Sequence, residues 1–156
     1  MLGTVGMSGQ GQKTSMKGFI ANVGQWPSNV LFAYRDGNLD TWITTTGIVF
    51  DQFEIQRSKG VRDGQVVRLN FIHSQGGSPV GEVQTSARVN YFLGRDPSKW
   101  FTDVPVYSSV RVRNVYDGID VIYYFDQGKV RYDLDVRTGA DLAHMGMKID
   151  GNSDLK

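Results

Sequence analysis

The fold is decided by residues 91–136, which read YFLGRDPSKWFTDVPVYSSVRVRNVYDGIDVIYYFDQGKVRYDLDV. In the second half of this stretch, apolar residues alternate with polar or mixed residues on both sides of Gln127-Gly128. Such alternation places every second side chain on the same face of a β-strand. The stretch therefore predicts an antiparallel hairpin with one apolar face.

The length of the loop determines the register of this hairpin. A two-residue loop at Gln127-Gly128 puts eight apolar residues on one face, as the pairs Phe125 with Val130, Tyr123 with Tyr132, Val121 with Leu134 and Ile119 with Val136. A three-residue loop would set Phe125 opposite Lys129 and mix the two faces. Because each buried large apolar side chain is worth ~1.5–3 kcal/mol, the pattern favours the two-residue loop.

Short extended segments make up most of the remaining chain. Runs of apolar and β-branched residues bounded by turn residues predict strands at 30–35, 39–44, 48–55, 66–73, 80–84, 89–93, 107–115 and 145–150. The first hairpin can turn at Asp36-Gly37 or at Gly37-Asn38, and a switch of apolar parity at residues 51–52 predicts a bulge. Asp96 followed by Pro97 predicts a one-turn helix over 96–100 with Asp96 as its N-cap.

These elements predict an all-β protein. No segment has the 3.6-residue period of a long amphipathic helix, and antiparallel hairpins with one apolar face need a second layer to cover them. We therefore expect an antiparallel β-sandwich, or a related two-sheet architecture, as a single domain over residues 19–156. Residues 1–18 are expected to form a flexible leader, and residues 1–11 fit either the remnant of a signal peptide or a plain disordered segment.

The composition excludes several classes of protein. Seventeen lysine and arginine residues against 16 aspartate and glutamate residues give a net charge of +1, without the clustered basic face that nucleic-acid binding needs. The chain has no cysteine, so disulfides, thiolate metal sites and cysteine nucleophiles are excluded. No run approaches the ~18 consecutive apolar residues of a membrane-spanning helix.

The sequence contains no recognisable catalytic motif. There is no nucleophile elbow, zinc-binding helix motif, phosphate loop or calcium-loop spacing, and the only two histidines are far apart in the chain. His73 continues the inward face of its strand and is interpreted as structural, whereas His144 lies in a polar loop and is interpreted as solvated. We therefore predict no catalytic and no cofactor-binding residue, and expect that the protein is not an enzyme.

Two carboxylates of the central hairpin are the unusual charged feature. The predicted register sets Asp120 directly opposite Asp135, and like charges opposed in a sheet are unfavourable. Arg137 or Arg131 is the simplest compensating partner. The alternative is a Ca²⁺ ion bound by Asp120, Asp135 and a loop carbonyl group, because calcium prefers several oxygen ligands. A glycosidase pair is less favoured, because that reaction needs two carboxylates flanking a cleft.

Aromatic side chains are the candidates for a ligand surface, because a flat ring can stack on the apolar face of a sugar. Trp42, Tyr107 and Tyr116 are the predicted glycan or partner surface. Trp26 and Trp100 are further candidates, although both stand at chain corners, where packing is the simpler interpretation. Two rings side by side on the surface would favour glycan binding, and burial of all the rings would exclude it.

Three segments carry a resemblance to a known family: FIANVGQWPSNVLF at 19–32, YFLGRDPSKWFTDVPVY at 91–107 and NVYDGIDVIYY at 114–124. They resemble a domain of unknown function near the N-terminus of large secreted or surface proteins of Bacteroidetes and related bacteria, where SBBP β-propeller repeats often follow. The resemblance covers residues 19–151. It implies an extracytoplasmic location, either secreted, at the cell surface or periplasmic, and a larger multidomain parent chain. It implies no catalytic residue.

We therefore expect a non-enzymatic structural or interaction module of a bacterial secreted or cell-surface protein. Its expected partners are other proteins or other domains of the parent chain, and neither nucleic acid nor a transmembrane segment is expected. Carbohydrate binding through exposed aromatic residues is the alternative function. A carboxylate-dependent hydrolase is the third.

Overall fold

The computed structural model describes residues 4–6, 17–56 and 60–152, and these residues form an all-β protein. The strands are, in chain order, β1 (Thr4–Gly6), β2 (Phe19–Ala21), β3 (Val30–Asp36), β4 (Leu39–Thr44), β5 (Gly47–Gln56), β6 (Val61–Ile72), β7 (Ser78–Phe92), β8 (Phe101–Tyr116), β9 (Ile119–Asp126), β10 (Lys129–Val136) and β11 (Gly146–Asn152). A 3₁₀ turn at Pro97–Lys99 is the only helical element in the described ranges. The predicted all-β class and the one-turn helix are confirmed.

The strands belong to one antiparallel sheet that branches at β8. Hydrogen-bonded neighbours follow the order β1-β7-β8-β2-β3-β4-β5-β6-β11, while β9 pairs with β8 and β10 pairs with β9. Val106 and Tyr107 of β8 pair with β2, whereas Ser109 to Val112 pair with β9. The sheet therefore has a long arm, made of β2 to β6 and β11, and a short arm, made of β9 and β10. A sandwich of two separate sheets is not confirmed.

The sheet curls so that the short arm covers one face of the long arm. Phe125 of β9 stacks on Phe19 of β2 with ring centroids 4.5 Å apart. Tyr132 of β10 lies edge-on to Phe71 of β6 at 6.2 Å. The main core includes the buried residues Phe19, Phe32, Tyr34, Ile43, Ile48, Phe71, Val110, Val112, Val115, Tyr116, Ile119, Val121 and Tyr123. One sheet folded on itself thus provides the second layer that apolar hairpin faces require.

A second, smaller core lies on the other face of the sheet. It contains Ile20, Val89, Tyr91, Val104 and Val106. Because Phe19 and Ile20 are consecutive residues of one strand, their side chains point to opposite faces. Trp26 packs against this second core, with its ring centroid 5.5 Å from that of Tyr91. Trp26 therefore fills a corner of the fold, as its sequence position indicates.

The predicted register of the β9–β10 hairpin is confirmed in full. The four apolar pairs are Phe125 with Val130, Tyr123 with Tyr132, Val121 with Leu134 and Ile119 with Val136. Gln127 and Gly128 have φ values of 49° and 77°. Two consecutive positive φ angles are typical of a type I′ turn, whose twist matches that of the flanking strands. Burial weakens at the end of the hairpin, where Val136 is 42% exposed.

Two local features of the other elements are also resolved. The β3–β4 turn lies at Gly37-Asn38, because Asp36 pairs with Leu39. Asp96 caps the 3₁₀ turn, since its side chain accepts a hydrogen bond from the Ser98 backbone N–H at 3.0 Å. The first result decides between the two turns that the sequence left open, and the second confirms the predicted N-cap.

Two local predictions are wrong. The bulge expected at residues 51–52 does not form, since β5 keeps one register against both β4 and β6 there; Phe50 and Phe53 simply lie on opposite faces. The segments expected as two strands at 80–84 and 89–93 form the single strand β7, with register shifts against β8. The flexible leader expected over residues 1–18 stays a prediction; within it, Thr4–Gly6 pair with β7. Residues 1–3 and 7–16 of that leader lie outside the described residues.

Candidate functional site

The two opposed carboxylates meet at an arginine of the neighbouring strand. Asp120 pairs with Asp135 in the observed register. Arg111 of β8 donates from Nη1 to Asp120 Oδ2 at 3.2 Å and to Asp135 Oδ2 at 2.6 Å. Its Nε donates to Glu82 Oε1 of β7 at 2.6 Å. One guanidinium group thus compensates three acidic side chains on three different strands. We call these four residues, with Arg137, the Arg111 network.

Asp120 is the most enclosed acid of the Arg111 network, with a side chain 12% exposed. Burial by itself raises the pKa of Asp120. That effect is outweighed by the backbone N–H of Asn114, which donates to Oδ1 at 2.9 Å, and by the Arg111 and Arg137 guanidinium groups, so the pKa is lowered. The pKa of Arg111 is raised, chiefly by its hydrogen bond to Asp135. The network therefore stabilises the charged form of both groups.

The structure separates the two cations that were expected to compensate the carboxylates. Arg137 Nη2 lies 3.4 Å from Asp120 Oδ1, and it also donates to the Asn114 side chain. Arg131 instead faces Asp126, at 3.9 Å. Sequence reasoning missed Arg111 itself, because its position opposite the hairpin depends on the pairing of β8 with β9.

The calcium site at Asp120 and Asp135 stays a prediction. The Arg111 guanidinium group occupies the position between these two carboxylates. In the described ranges no group of three or more His, Cys, Asp or Glu side chains is placed to hold a metal ion. Neither carboxylate lines either of the two depressions described below. Calorimetric titration with calcium tests the metal hypothesis directly.

The three aromatic residues predicted as one ligand surface do not come together. Tyr116 is buried, and its hydroxyl oxygen lies 2.6 and 2.9 Å from two backbone carbonyl oxygens. Tyr107 packs edge-on to Phe32, with centroids 6.1 Å apart, at the main core. Trp42 lies on the opposite face of the sheet, because its neighbour Ile43 belongs to the main core.

Trp42 forms an aromatic pair with Trp26, a further candidate from the sequence for which packing was the simpler interpretation. Their ring centroids are 5.4 Å apart and their planes cross at 88°. Both side chains are half-buried. They line a shallow groove together with Pro27, Asn29, Val30, Thr44, Val49 and Arg68. We call this depression the tryptophan groove; it combines an apolar surface with polar groups from Asn29 and Arg68.

Both histidines of the chain line a second depression, an open cleft of about 590 Å³. Three loops form it: the loop after β6 with His73, the β8–β9 turn at Gly118, and the loop from Arg137 to His144 after β10. The backbone N–H of Arg137 donates to the Gly118 carbonyl group at 2.9 Å, which holds the last two loops together. Residues 71 positions apart in the printed sequence thus share one cleft.

The histidine cleft contains an exposed histidine–aspartate pair. His144 Nδ1 lies 3.1 Å from Asp141 Oδ2. The pKa of Asp141 is lowered by the Ala143 backbone N–H and by the His144 hydrogen bond. His73 has a φ of 61° and is exposed, so the prediction that it continues the inward face of its strand is wrong. The positive φ turns the chain away from β6 at this residue.

The final strand presents an open edge with apolar side chains. Met147 pairs with Phe71 and Ile149 pairs with Leu69, so Met147 and Ile149 lie on the face of the main core. Phe71 is 3% exposed, whereas Met147 is 47% and Ile149 is 70% exposed. The Tyr132 hydroxyl group reaches Met147 Sδ at 3.5 Å, and Ile149 lies two residues further along the strand. Among the described strands, β11 pairs with β6 alone.

The branched, curled antiparallel sheet defines the class of this protein as an all-β domain. A family model described as "Domain of unknown function (DUF7948)" matches residues 19–156. The chain therefore belongs to this family, which confirms the resemblance to a domain of unknown function. No curated protein and no solved structure matches the chain. In the described residues, no helix has the length and apolar character needed to cross a membrane.

Proposed function

We propose that this domain is a non-enzymatic interaction module of a bacterial secreted or cell-surface protein, and that it docks a partner strand along β11. The observation that carries the proposal is the 70% exposure of Ile149 on an open strand edge. Sheet edges pair readily with other chains, so exposed edges are usually blunted by charges, proline or bulges. β11 carries Lys148 and Asp150 on one face, but it contains no proline and keeps a regular register with β6 over all seven of its residues.

The side chains around Ile149 suit such docking. Met147 is 47% and Val67 is 38% exposed. Val67 pairs with Gly151 of β11, so it lies on the same face as Met147 and Ile149. Apolar patches rimmed by polar residues mark interaction sites on protein surfaces. Strand addition forms backbone hydrogen bonds along a sheet edge and packs side chains at alternate positions. β11 presents such an edge, with the exposed apolar side chains of Met147 and Ile149 at alternate positions.

The location in this proposal rests on the resemblance of residues 19–32, 91–107 and 114–124 to a domain of secreted and surface proteins. In a larger parent chain, a neighbouring domain is an available partner for β11. Antibody labelling of intact native cells, compared with lysed cells, tests the location. Labelling only after lysis would contradict a surface position.

The variant Ile149→Lys is expected to keep the melting temperature within about 2 °C of the wild-type value, because exposed substitutions usually change stability by less than about 0.5 kcal/mol. The same variant should reduce binding of the apolar dye ANS, since it removes the main exposed apolar side chain of the edge. Ile48→Lys is the matched control, because Ile48 lies on the same face and is 1% exposed; it should unfold the protein. A large loss of melting temperature in Ile149→Lys would place Ile149 in the core and contradict the proposal.

Carbohydrate binding is a second candidate function, and the tryptophan groove favours it. Trp26 and Trp42 are adjacent half-buried rings at the surface, the arrangement that was expected to favour a sugar ligand. Small-ligand sites combine apolar or aromatic walls with a few polar groups. Here Asn29 and Arg68 supply hydrogen-bond donors beside the two rings.

A glycan array with the wild-type protein tests this candidate, followed by the variant Trp26→Ala on any glycan that binds. We expect about tenfold weaker binding, because an aromatic contact worth ~1–1.5 kcal/mol is lost. Trp100→Ala is the matched control, because Trp100 is 38% exposed and packs on Phe92, outside the groove. An array without any hit would remove carbohydrate binding as a candidate.

A further inference from the structure

We infer that the strand which docks on β11 is β11 of a second copy of this chain, paired antiparallel about a two-fold axis at Ile149. This inference rests on the proposed docking at β11 and names its partner. A two-fold interface is self-complementary, because the same patch contributes to both sides. The sequence of β11, GMKIDGN from Gly146 to Asn152, has that property in one register.

The two faces of β11 differ in chemistry. Met147, Ile149 and Gly151 alternate on the face of the main core, whereas Lys148 and Asp150 lie on the other face. Directly opposed residues of an antiparallel pair share a face. A two-fold axis at one residue therefore pairs each position before it with the position equally far after it in the second copy.

An axis at Ile149 opposes no like charges and matches the faces of the two copies. Ile149 meets Ile149 of the second copy, so two exposed apolar side chains cover each other. Lys148 meets Asp150 of the second copy, and Asp150 meets Lys148, which gives two attractive pairs. Met147 meets Gly151, where an added Cβ would have no described atom within 4 Å, so the space for the Met147 side chain is open.

Other registers are less favourable. An axis at Met147 or at Gly151 places neither Lys148 nor Asp150 opposite a charged residue of β11, so no ion pair forms across the interface. An axis at Lys148 opposes two lysines directly, and an axis at Asp150 opposes two aspartates; like charges in that position destabilise a sheet. An axis between two residues pairs odd with even positions, so the apolar face of one copy would meet the charged face of the other. Charge and face pattern together therefore select the axis at Ile149.

Lys148 and Asp150 can exchange their pairing within one chain for pairing with the second copy. In a single chain, Lys148 Nζ lies 3.0 Å from Asp150 Oδ1, with side chains 65% and 44% exposed. Such exposed pairs contribute little by themselves, so they are readily replaced by pairs across the interface. A typical stable interface buries ~1,200–2,000 Å² of surface, and one seven-residue strand edge offers only a small contact area. We therefore expect a weak dimer whose population rises with concentration.

Sedimentation velocity on the full chain, from about 10 µM to about 1 mM, tests the inference. The wild-type protein should shift from monomer to dimer over this range. Lys148→Asp and Asp150→Lys should each raise the dissociation constant about tenfold or more, because two-fold symmetry turns two attractive pairs into two repulsive ones. The double variant K148D/D150K should restore the wild-type constant within about threefold. Arg131→Asp is the control, because its exposed charge on β10 lies outside β11, and it should change nothing.

A wild-type protein that stays monomeric at about 1 mM would overturn the inference. So would a dimer that tolerates both single variants, or one that the double variant does not restore. The test with Ile149→Lys separates this failure from failure of the proposed function. If the wild-type protein is monomeric while the variant Ile149→Lys keeps its melting temperature and loses dye binding, then only the second copy is refuted as the partner. If the wild-type protein is monomeric and the variant Ile149→Lys is unfolded, then docking along the β11 edge is refuted as well.

Discussion

The variant Arg111→Met is expected to lower the free energy of unfolding by about 3 kcal/mol at pH 7. Removal of one partner from an enclosed ion pair leaves the other charge uncompensated, which typically costs ~3–5 kcal/mol, and the partial exposure of Asp135 reduces that figure. Methionine keeps most of the aliphatic stem of Arg111, so the loss reports mainly on charge. Urea denaturation measures it, against a total stability of ~5–15 kcal/mol for a typical domain.

The pH dependence of this loss provides a second readout. In the wild-type protein the pKa of Asp120 is lowered below its ordinary value of 3.8. Its contribution to stability is therefore complete above that ordinary value and disappears as the pH falls through the lower folded value. In Arg111→Met, protonation relieves the repulsion between Asp120 and Asp135. The difference between variant and wild type should thus shrink from pH 7 to about pH 3.

Arg131→Met is the matched control for Arg111→Met. Arg131 belongs to an exposed pair at 3.9 Å from Asp126, and such pairs are worth ~0–1 kcal/mol. A loss at Arg111 no larger than the loss at Arg131, or a loss that is the same at pH 7 and pH 3, would show that the Arg111 network does not stabilise the fold.

The variant Phe19→Ala is expected to lower the free energy of unfolding by about 3–5 kcal/mol, the usual range for removing a buried phenylalanine. Phe19 is fully buried at 0% exposure. Its ring stacks on Phe125 at 4.5 Å and lies edge-on to Tyr34 at 6.5 Å. The residue therefore joins the short arm to the long arm near the branch at β8, and its loss leaves a cavity between them. Thermal and urea unfolding measure the effect.

Phe92→Ala is the control for Phe19→Ala, because Phe92 is 37% exposed and contacts Trp100. We expect a much smaller loss there, since a partly exposed ring buries less apolar surface. Comparable losses at the two positions would mean that the contact between the arms contributes no more to stability than an exposed ring pair.

The β9–β10 hairpin was predictable from the sequence in every pair. Its strands are consecutive and joined by Gln127-Gly128, so the loop length and the alternation of faces settle the register locally. The opposition of Asp120 and Asp135 follows from the same pattern. The compensating Arg111 does not, because β8 pairs with β9 through a register shift between Val112 and Tyr116. No alternation pattern specifies the position of such a shift.

The candidate sites depend even more on contacts between distant segments. Trp26 and Trp42 stand on a loop and on β4, and His73 and His144 stand on loops that follow β6 and β10. Each pair lines one depression because the tertiary structure brings distant segments of the chain together. The exposed edge at Ile149 could not be predicted from the sequence either, because a strand has the same alternating pattern in the middle of a sheet and at its edge.

By itself the sequence determined the all-β class, the turn and register of the β9–β10 hairpin, the faces of most strands and the like-charge pair at Asp120 and Asp135. Only the tertiary structure decided that the strands form one branched sheet, that Arg111 joins three acidic residues, and that β11 ends the sheet with an open edge. The physical reason is the two-residue period of a β-strand. That period assigns each side chain to a face, but the partner of each strand depends on which arrangement buries those faces across the whole chain.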